Sequence, residues 1–547
     1  MKPDSLRFDI GIVGAGPVGL TLANLLGVYG IRTVLIEKHA STVSEPRAVS
    51  IDDESLRVMQ AAGLVDIIKT NLVSGYGSSY LSPTGKPFAF VDPDTVEFGY
   101  QRRNAFNQEA LEAQLREGLE RFDCITSRFN HELKGFSEKD DHVALSVIDN
   151  DGELHQFNCS YVCACDGASS FVRRELGIQL EGLSYEEKWL IIDLLDSKDP
   201  YRHTRVHCDP ARPGLNLPGP KRTRRFEFMM LNTDDPDEFA SEESVRRLLK
   251  SHGPDEHSEI RRRTIYAFQA CIAPVWQAGR VTLHGDAAHL TPPFAGQGMN
   301  SGIRDSANYA WKLAAAVNGQ LGPQLLSTYE RERKPHAWQL IKMAIRMGRV
   351  FMPSNRLEAF VVRTLASLLK LVPWAYDYIS QMKYKPKPRF EDGFFIADGR
   401  SRRKTLSGRM FCQPMVALPD GTRILLDDAL GTGFALLVYG QNPGQLLKNI
   451  GDSFWGSLEV NKICATPEAM NFTTDGTPVD SLKIVRDADG VIGEWLAPHR
   501  SCAVLLRPDR YVAAILPEGK DFGRNKENLQ MLLNSTWDKE NSTKEND

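Results

Sequence analysis

Nowhere in its 547 residues does the chain hold the ~20 uninterrupted apolar residues that a membrane-crossing helix needs. The apolar run Ile10–Leu26 follows Asp4 and Asp9, contains Gly11, Gly14, Gly16, Pro17 and Gly19, and leads to no small-residue cleavage pattern. It reads as part of the fold and not as a secretory leader. The region from Ile341 to Ile379 is interrupted by Arg346, Arg349, Pro353, Arg356, Arg363, Lys370 and Pro373, and reads as buried or amphipathic helices. Charge of one sign is also scarce. The formal net charge is -4 and no basic run or stripe stands out, which argues against nucleic acid or an anionic membrane surface as partner. The nine cysteines form no CxxC pair, and neither they nor the twelve scattered histidines take a zinc-site spacing. A reduced, cytoplasmic protein with no metal site is expected. Internal repeats, low-complexity tracts and the elbow or triad motifs of covalent nucleophiles are missing too.

What is present is ordinary in bulk, 42% hydrophobic and 25% charged, and long enough for two or three domains. The order of elements is more informative. Phe8–Val13 reads as a strand, Pro17–Val28 as a helix and Thr33–Glu37 as a second strand, a βαβ opening. Helices are expected at Ser55–Ala62 and Gln108–Phe122, and strands at Val143–Ile148 and Ser160–Ala164, where Cys163 and Cys165 are read as buried free thiols on one face. From Lys188 to Ala273 the texture changes to short β-like runs, Trp189–Leu195, Arg205–Cys208, Arg225–Leu231 and Thr264–Ile272, separated by Pro, Asp and Gly. A strand at Arg280–His284 and a long helix after Gly298, stopped at Asn318-Gly319, return to the first pattern. Beyond about Lys387, Phe434–Tyr439, Leu482–Val485, Ala503–Leu506 and Tyr511–Ile515 predict a separate α/β unit, and the stretch after Gly523 a polar, fraying tail.

Three segments carry chemistry. Gly14-Ala15-Gly16-Pro17-Val18-Gly19 follows a strand and opens a helix. One glycine permits the tight turn, one lets backbone approach a pyrophosphate, and one allows close helix–strand packing, while the helix start offers free N–H groups to phosphate. Glu37, with Lys38 beside it, ends the next strand, where a carboxylate accepts from a ribose 2′-OH and repels a 2′-phosphate. This predicts a dinucleotide site without separating FAD from NAD. The second segment, Cys165-Asp166-Gly167-Ala168-Ser169-Ser170-Phe171-Val172-Arg173-Arg174, places an acid and a glycine at a strand end before a basic helix start. The third, His284-Gly285-Asp286, presents an acid for a ribitol or ribose hydroxyl, and Pro292–Asn300 follows at a helix start. Amides at Gly298, Met299 and Asn300 suit the negative charge on the N1–C2=O edge of a reduced flavin.

The order and spacing of these three motifs resemble the fingerprints of class A flavoprotein aromatic hydroxylases, the 4-hydroxybenzoate and phenol hydroxylase family, across about residues 8–350. The resemblance implies FAD as cofactor and NADH or NADPH as co-substrate. It further implies oxygen transfer through an FAD C4a-hydroperoxide to the ring position ortho to a phenol. By the same resemblance, Arg47 in Glu45-Pro46-Arg47-Ala48 contacts the flavin pyrophosphate, and Gln108, with Glu112 and Leu115 on its helix face, lies near the FAD phosphate and ribitol. Asp166, Gly167 and Arg173 serve both FAD and the nicotinamide cofactor, and Pro293, Gly298 and Met299 position the flavin's reactive edge. No second strand–GxGxxG–helix unit exists for a nicotinamide cofactor, as the family implies, so NADH and NADPH both stay open. The stretches Ser50–Arg57, Arg102–Phe106, Phe171–Arg174 and Arg225–Met229 are similar to members acting on 3-hydroxyphenyl alkanoic acids, which implies a 2,3-dihydroxyphenyl product. Resorcinol, a hydroxybenzoate or another phenol is the alternative substrate. A non-oxygenating FAD oxidoreductase and a flavin-bound docking protein are the rival readings. The expected partners are a small phenolic aromatic and O2, with a homodimer left open.

The architecture implied is α/β: a Rossmann-like FAD-binding domain, an inserted antiparallel β-sheet substrate domain, and a C-terminal thioredoxin-like domain. The divisions are residues 1–185 and 276–386 for the FAD domain, 186–275 with help from about 75–105 for the substrate sheet, 387–523 for the last domain, and a tail at 524–547. Because Cys412, Cys464 and Cys502 are isolated, dithiol chemistry is not expected of that domain, and Gly431-Thr432-Gly433, which precedes a strand, reads as a turn. Arg103, Arg224 and Arg225 are candidates for a substrate carboxylate, although ion-paired roles are the commoner fate. His289 is read as a hydrogen-bonded structural histidine before a catalytic base. Met229 and Met230 fit a substrate-facing strand or plain core equally.

Overall fold

The computed structural model describes residues 6–41, 47–353, 355–401, 404–440, 443–467, 482–499 and 501–535. Strand Leu6–Val13, with the pattern of a buried parallel strand, runs between Leu154–Ala164 and Thr33–Glu37 and is parallel to both. The sheet continues through Val281–Leu283 on one side and Ile125–Phe129 on the other. Register aligns the carboxyl ends: Val13 pairs with Ala164 and with Ile36, and Ala164 with Leu283. The three chemistry-bearing segments therefore leave neighbouring strands at one edge of the sheet, where open α/β sheets form their ligand crevice. Helices Pro17–Val28 and Gly298–Val317 pack together over this sheet, and the second stops at Asn318 with Gly319 at φ +66°, as its sequence predicts.

A second sheet has eight strands in the spatial order His289–Leu290, Glu259–Ile272, Glu181–Leu195, Arg224–Met229, Gly214–Pro218, Thr204–His207, Ser78–Leu81 and Pro87–Val91. It is not wholly antiparallel as expected. Thr204–His207 lies parallel to Ser78–Leu81, because that strand enters from the early 75–105 segment and not through a hairpin. A three-stranded sheet, Ser50–Asp52, Arg103–Phe106 and Leu72–Ser74, bridges the two large ones.

The C-terminal part forms a seven-stranded sheet in which Val460–Pro467 is central and Phe434–Tyr439 lies beside it. It is not a loose appendage. Trp311, Ala315, Leu321 and Leu325 share a core with Phe394, Phe434 and Leu516, and buried Arg57 meets Asp427 in a bidentate pair with both contacts at 2.7 Å. Glu332, wholly buried with Arg507 and Lys312, forms a second such seam. Burial raises the Glu332 carboxyl, but the two cations outweigh it and hold it at about 2. Lys312 is itself drawn down to about 8 by burial, so the bidentate Arg507 is the partner that fixes the charge. The polar tail expected after Gly523 is instead a helix, Phe522–Ser535: Leu529 and Leu533 are spaced four apart and bury their faces. Residues 536–547 of that tail lie outside the described residues. Among the described residues no single helix is long and apolar enough to cross a membrane, although the bent pair Arg356–Leu369 and Pro373–Ser380 is apolar taken together.

Candidate active site

The glycines of the first motif behave differently from one another. Gly14 has φ +101°, and a Cβ there would lie 2.4 Å from the Cys165 carbonyl oxygen. A Cβ on Gly19 would lie 2.0 Å from the Gly14 carbonyl oxygen, so helix and turn touch through bare backbone. At Gly16 a Cβ would meet nothing within 4 Å. Gly16 is the N-cap of helix Pro17–Val28, and no side chain caps that helix. Open space before a set of unsatisfied amides fits a pyrophosphate. Glu37 accepts from Ala15 N–H at 2.8 Å and from His39 N–H at 2.9 Å, which presents its carboxylate on the glycine loop, with Lys38 exposed beside it.

The second segment is tied inward. Asp166 accepts from Val172 N–H with one oxygen, while its other oxygen is buried with no donor among the described residues. Gly167 takes φ +78° in the turn. Arg173 donates to the carbonyls of Ala168 and Ala287, so it clamps the second segment to the third. Gly285, at φ +54°, packs against Val18 of the first helix. Asp286 stands 3.7 Å from Arg47, and 38% of its side chain is exposed. Gln108 accepts from Arg47 N–H and Ala48 N–H and donates to Glu112, so it places the Arg47 segment. Glu45 and Pro46 of that segment lie outside the described residues.

Pro293–Ala295 forms a single tight turn, Gly296 follows in the left-handed region at φ +60°, and helix Gly298–Val317 starts with no side-chain cap. Asn300 fixes this helix start. It donates to the carbonyls of Ser50 and Gly296 and accepts from Asp52 N–H. Met299 packs on the core, leaving the backbone N–H groups at the helix start for a ligand. Pro293 heads the turn that carries Phe294, whose ring meets Trp189 at 6.0 Å and Phe268 at 6.1 Å, both from the second sheet. Tyr80, Phe88, Met229, Met382 and Tyr384 complete this apolar wall, whereas Met230 belongs to a separate core behind it.

His289 is wholly buried and bonded at 2.8 Å to Asp305, which also holds Arg333. Burial raises the Asp305 carboxyl, yet His289 and the Arg333 guanidinium beside it keep it at about 2. The histidine is thus part of an internal brace. Sequence reasoning missed Asp305, Ser50, Tyr266 and the aromatic wall. Tyr266 accepts from Arg47 Nε at 3.2 Å, across 219 positions, and no local pattern announces such a pairing.

Two uncapped helix starts, a cradle at Gly16 that a Cβ would occupy, and a buried Asp166 oxygen without a donor among the described residues suit the phosphates and hydroxyls of a flavin dinucleotide in polarity. A family model described as an FAD binding domain matches residues 7–344, and one described as HcaD C-terminal domain matches residues 408–524. The chain belongs to the FAD-dependent aromatic hydroxylases, flavoprotein monooxygenases that use NAD(P)H. Within that class, a 3-(3-hydroxy-phenyl)propionate/3-hydroxycinnamic acid hydroxylase of Klebsiella pneumoniae is 38% identical over 508 residues, 93% of this chain and 91% of the relative. A hydroxylase of the same description from Escherichia coli is 37% identical over 92% of this chain and 91% of its own length. Among solved structures, the flavin-dependent monooxygenase PieE in complex with FAD and substrate superposes with a TM-score of 0.82 over 97% of this chain and 99% of that one, at 22% identity. Aklavinone-11 hydroxylase with FAD and aklavinone gives 0.75 over 97% and 100%, also at 22% identity. These two likenesses show the fold.

Proposed function

We propose that the chain hydroxylates a phenol bearing a short carboxylated side chain, 3-(3-hydroxyphenyl)propionate or 3-hydroxycinnamate, ortho to its hydroxyl. The observation that carries this reading is the 38% identity over 93% of the chain to a hydroxylase of that description. FAD, when bound, accepts hydride from NAD(P)H and activates O2, so that one oxygen atom enters the ring and the other leaves as water. The rest is positioning. Gly14, Gly16, Pro17 and Gly19 receive the pyrophosphate, with Arg47 near it. Glu37, Lys38 and Asp286 serve the ribose and ribitol side, and Gln108, Asp166, Gly167, Arg173 and Gly285 hold the loops that carry them. Amides of Gly298, Met299 and Asn300 favour negative charge at the helix start. Pro293 sets Phe294 against Trp189 and Phe268, which exclude water and hold an aromatic ring.

The same reading divides the chain into an FAD unit (1–185 and 276–386), a substrate sheet (186–275 with about 75–105) and a thioredoxin-like unit (387–523). In the last unit burial pushes the Cys464 and Cys502 thiols up to about 12, which suits packing and not dithiol exchange. All nine cysteines are free, in keeping with a cytoplasmic setting. The test is a panel of phenol, resorcinol, 3-hydroxybenzoate, 4-hydroxybenzoate and 3-(3-hydroxyphenyl)propionate under 18O2. Labelled 2,3-dihydroxyphenylpropionate is the expected product, and preference for an uncharged phenol overturns the acid assignment.

A further inference from the structure

Arginine is the side chain that takes a carboxylate by two parallel hydrogen bonds. Arginines that the sequence offers for this task differ in what already occupies them. Arg224 is buried and paired with Asp199 at 3.6 Å, and Arg225 is buried and paired with Asp193 at 2.6 Å. Arg102 meets Glu97 at 3.4 Å and Asp53 at 3.9 Å. Arg103 has no such partner among the described residues. Its guanidinium is half-buried, donates to Ser78 Oγ at 2.5 Å and Tyr76 Oη at 3.2 Å, and lies 4.4 Å from the Tyr76 ring centroid. These hydroxyls use two of its five N–H groups. Tyr80 and Tyr384 also face it, and burial pushes both phenols up, so neither supplies an anion. Asp52, opposite Arg103 in the strand register, has given its carboxylate to Arg304 and Lys385. Asp92, packed by Gly77, makes no ion pair with Arg103.

A cation withdrawn from water without a counter-ion is costly and is retained where an anion arrives from outside. The place is right for one. Strand Arg103–Phe106 pairs with Ser50–Asp52, and that strand is the one Asn300 grips at the start of the flavin-edge helix. Tyr80 and Tyr384 belong to the same apolar wall as Phe294 and Trp189. We infer that Arg103 receives the carboxylate of the substrate, the half-buried fork between Tyr76, Ser78, Tyr80 and Tyr384 being the acid-selective end of the site. This rests on the aromatic-acid reading above and adds the group that separates acids from neutral phenols.

The experiment compares 3-(3-hydroxyphenyl)propionate with its uncharged amide in the FAD-loaded wild type, Arg103→Met and Arg103→Lys. Steady-state kinetics and binding titrations followed by flavin absorbance are both recorded, with FAD content as the control for folding. The wild type is expected to prefer the acid. Arg103→Met is expected to lose roughly ten- to a hundredfold in KM or Kd for the acid, the scale of a charge-assisted hydrogen bond, with little change for the amide. Arg103→Lys, which keeps charge but not the fork, falls between. Equal loss for acid and amide, or unchanged preference in Arg103→Met, overturns the anchor and leaves the hydroxylase standing. A wild type that neither turns over nor binds an aryl carboxylate overturns the aromatic-acid reading and the anchor with it. If Arg103→Met retains no FAD, Arg103→Lys decides alone: wild-type selectivity there, with the fork removed, overturns the anchor.

Discussion

Backbone builds the crevice proposed for the flavin, whereas side chains build the wall beside it. In the crevice the key groups are amides at two helix starts and glycines that lack a Cβ, all placed at the carboxyl ends of adjacent strands. In the wall Tyr80, Trp189, Phe268, Phe294 and Tyr384 come from distant segments and meet only through packing. A crevice made of backbone tolerates little change at its glycines but accepts any sequence that keeps the turn. A wall made of side chains is adjustable, and the proposed reading puts substrate choice there. Arg103 stands where the two regions meet.

The sharpest way to break this contrast is Gly19→Val. Its Cβ would sit 2.0 Å from the Gly14 carbonyl oxygen, so the variant is expected to purify without FAD or not to fold, as read from flavin absorbance per chain. Full flavin content in it would remove the backbone account. Next in size is Glu332→Ala, which leaves buried Lys312 without its carboxylate and Arg507 with Asp509 alone in the seam to the C-terminal unit, and should cost about 3–5 kcal/mol in urea unfolding. This loss leaves both halves of the site chemically intact and so measures what the seam contributes. Because the Glu332 carboxyl is held at about 2, below its ordinary 4.5, its contribution is complete above pH 4.5 and disappears as pH falls toward 2. A wild-type minus variant stability difference that stays flat over that range refutes the assignment.

Asp286→Ala should weaken FAD binding by roughly ten- to a hundredfold, about 1.5–3 kcal/mol, while the unfolding midpoint of the flavin-free chain is unchanged. Wild-type affinity would show that Asp286 is no ligand. Gly16→Ala sharpens the same point. Its Cβ meets no protein atom, so flavin-free stability should move by less than about 0.5 kcal/mol. FAD affinity should nonetheless fall, and equilibrium dialysis reads the difference. The smallest effect belongs to the wall. Phe268→Leu removes an aromatic contact of about 0.5–1.5 kcal/mol, so KM for an aryl acid should rise roughly three- to tenfold with FAD content intact. Loss of flavin in that variant would blur the division between the two regions.

The strand–glycine–helix turn of the crevice was legible in the sequence because its determinants are local. The strand Leu6–Val13, the glycines and the helix Pro17–Val28 lie within thirty residues, and strand Thr33–Glu37 and its terminal acid follow directly. The aligned strand ends also follow from the order of the three motifs, since a parallel sheet presents its carboxyl ends on one edge. The parallel entry of Ser78–Leu81, the helix Phe522–Ser535 and the aromatic wall were decided by tertiary structure. So was the sorting of the arginines. Arg103, Arg224 and Arg225 are alike as residues, and pattern alone gives each the same chance of holding a ligand. Asp193 lies 32 positions from Arg225 and is its partner in the strand register, and Asp199, 25 positions from Arg224, reaches it from the loop after that strand, while the acid opposite Arg103, Asp52, is taken by Arg304 and Lys385. Periodicity sets which face a side chain takes, but the charge that meets it there is set by chain crossings that only the folded structure specifies.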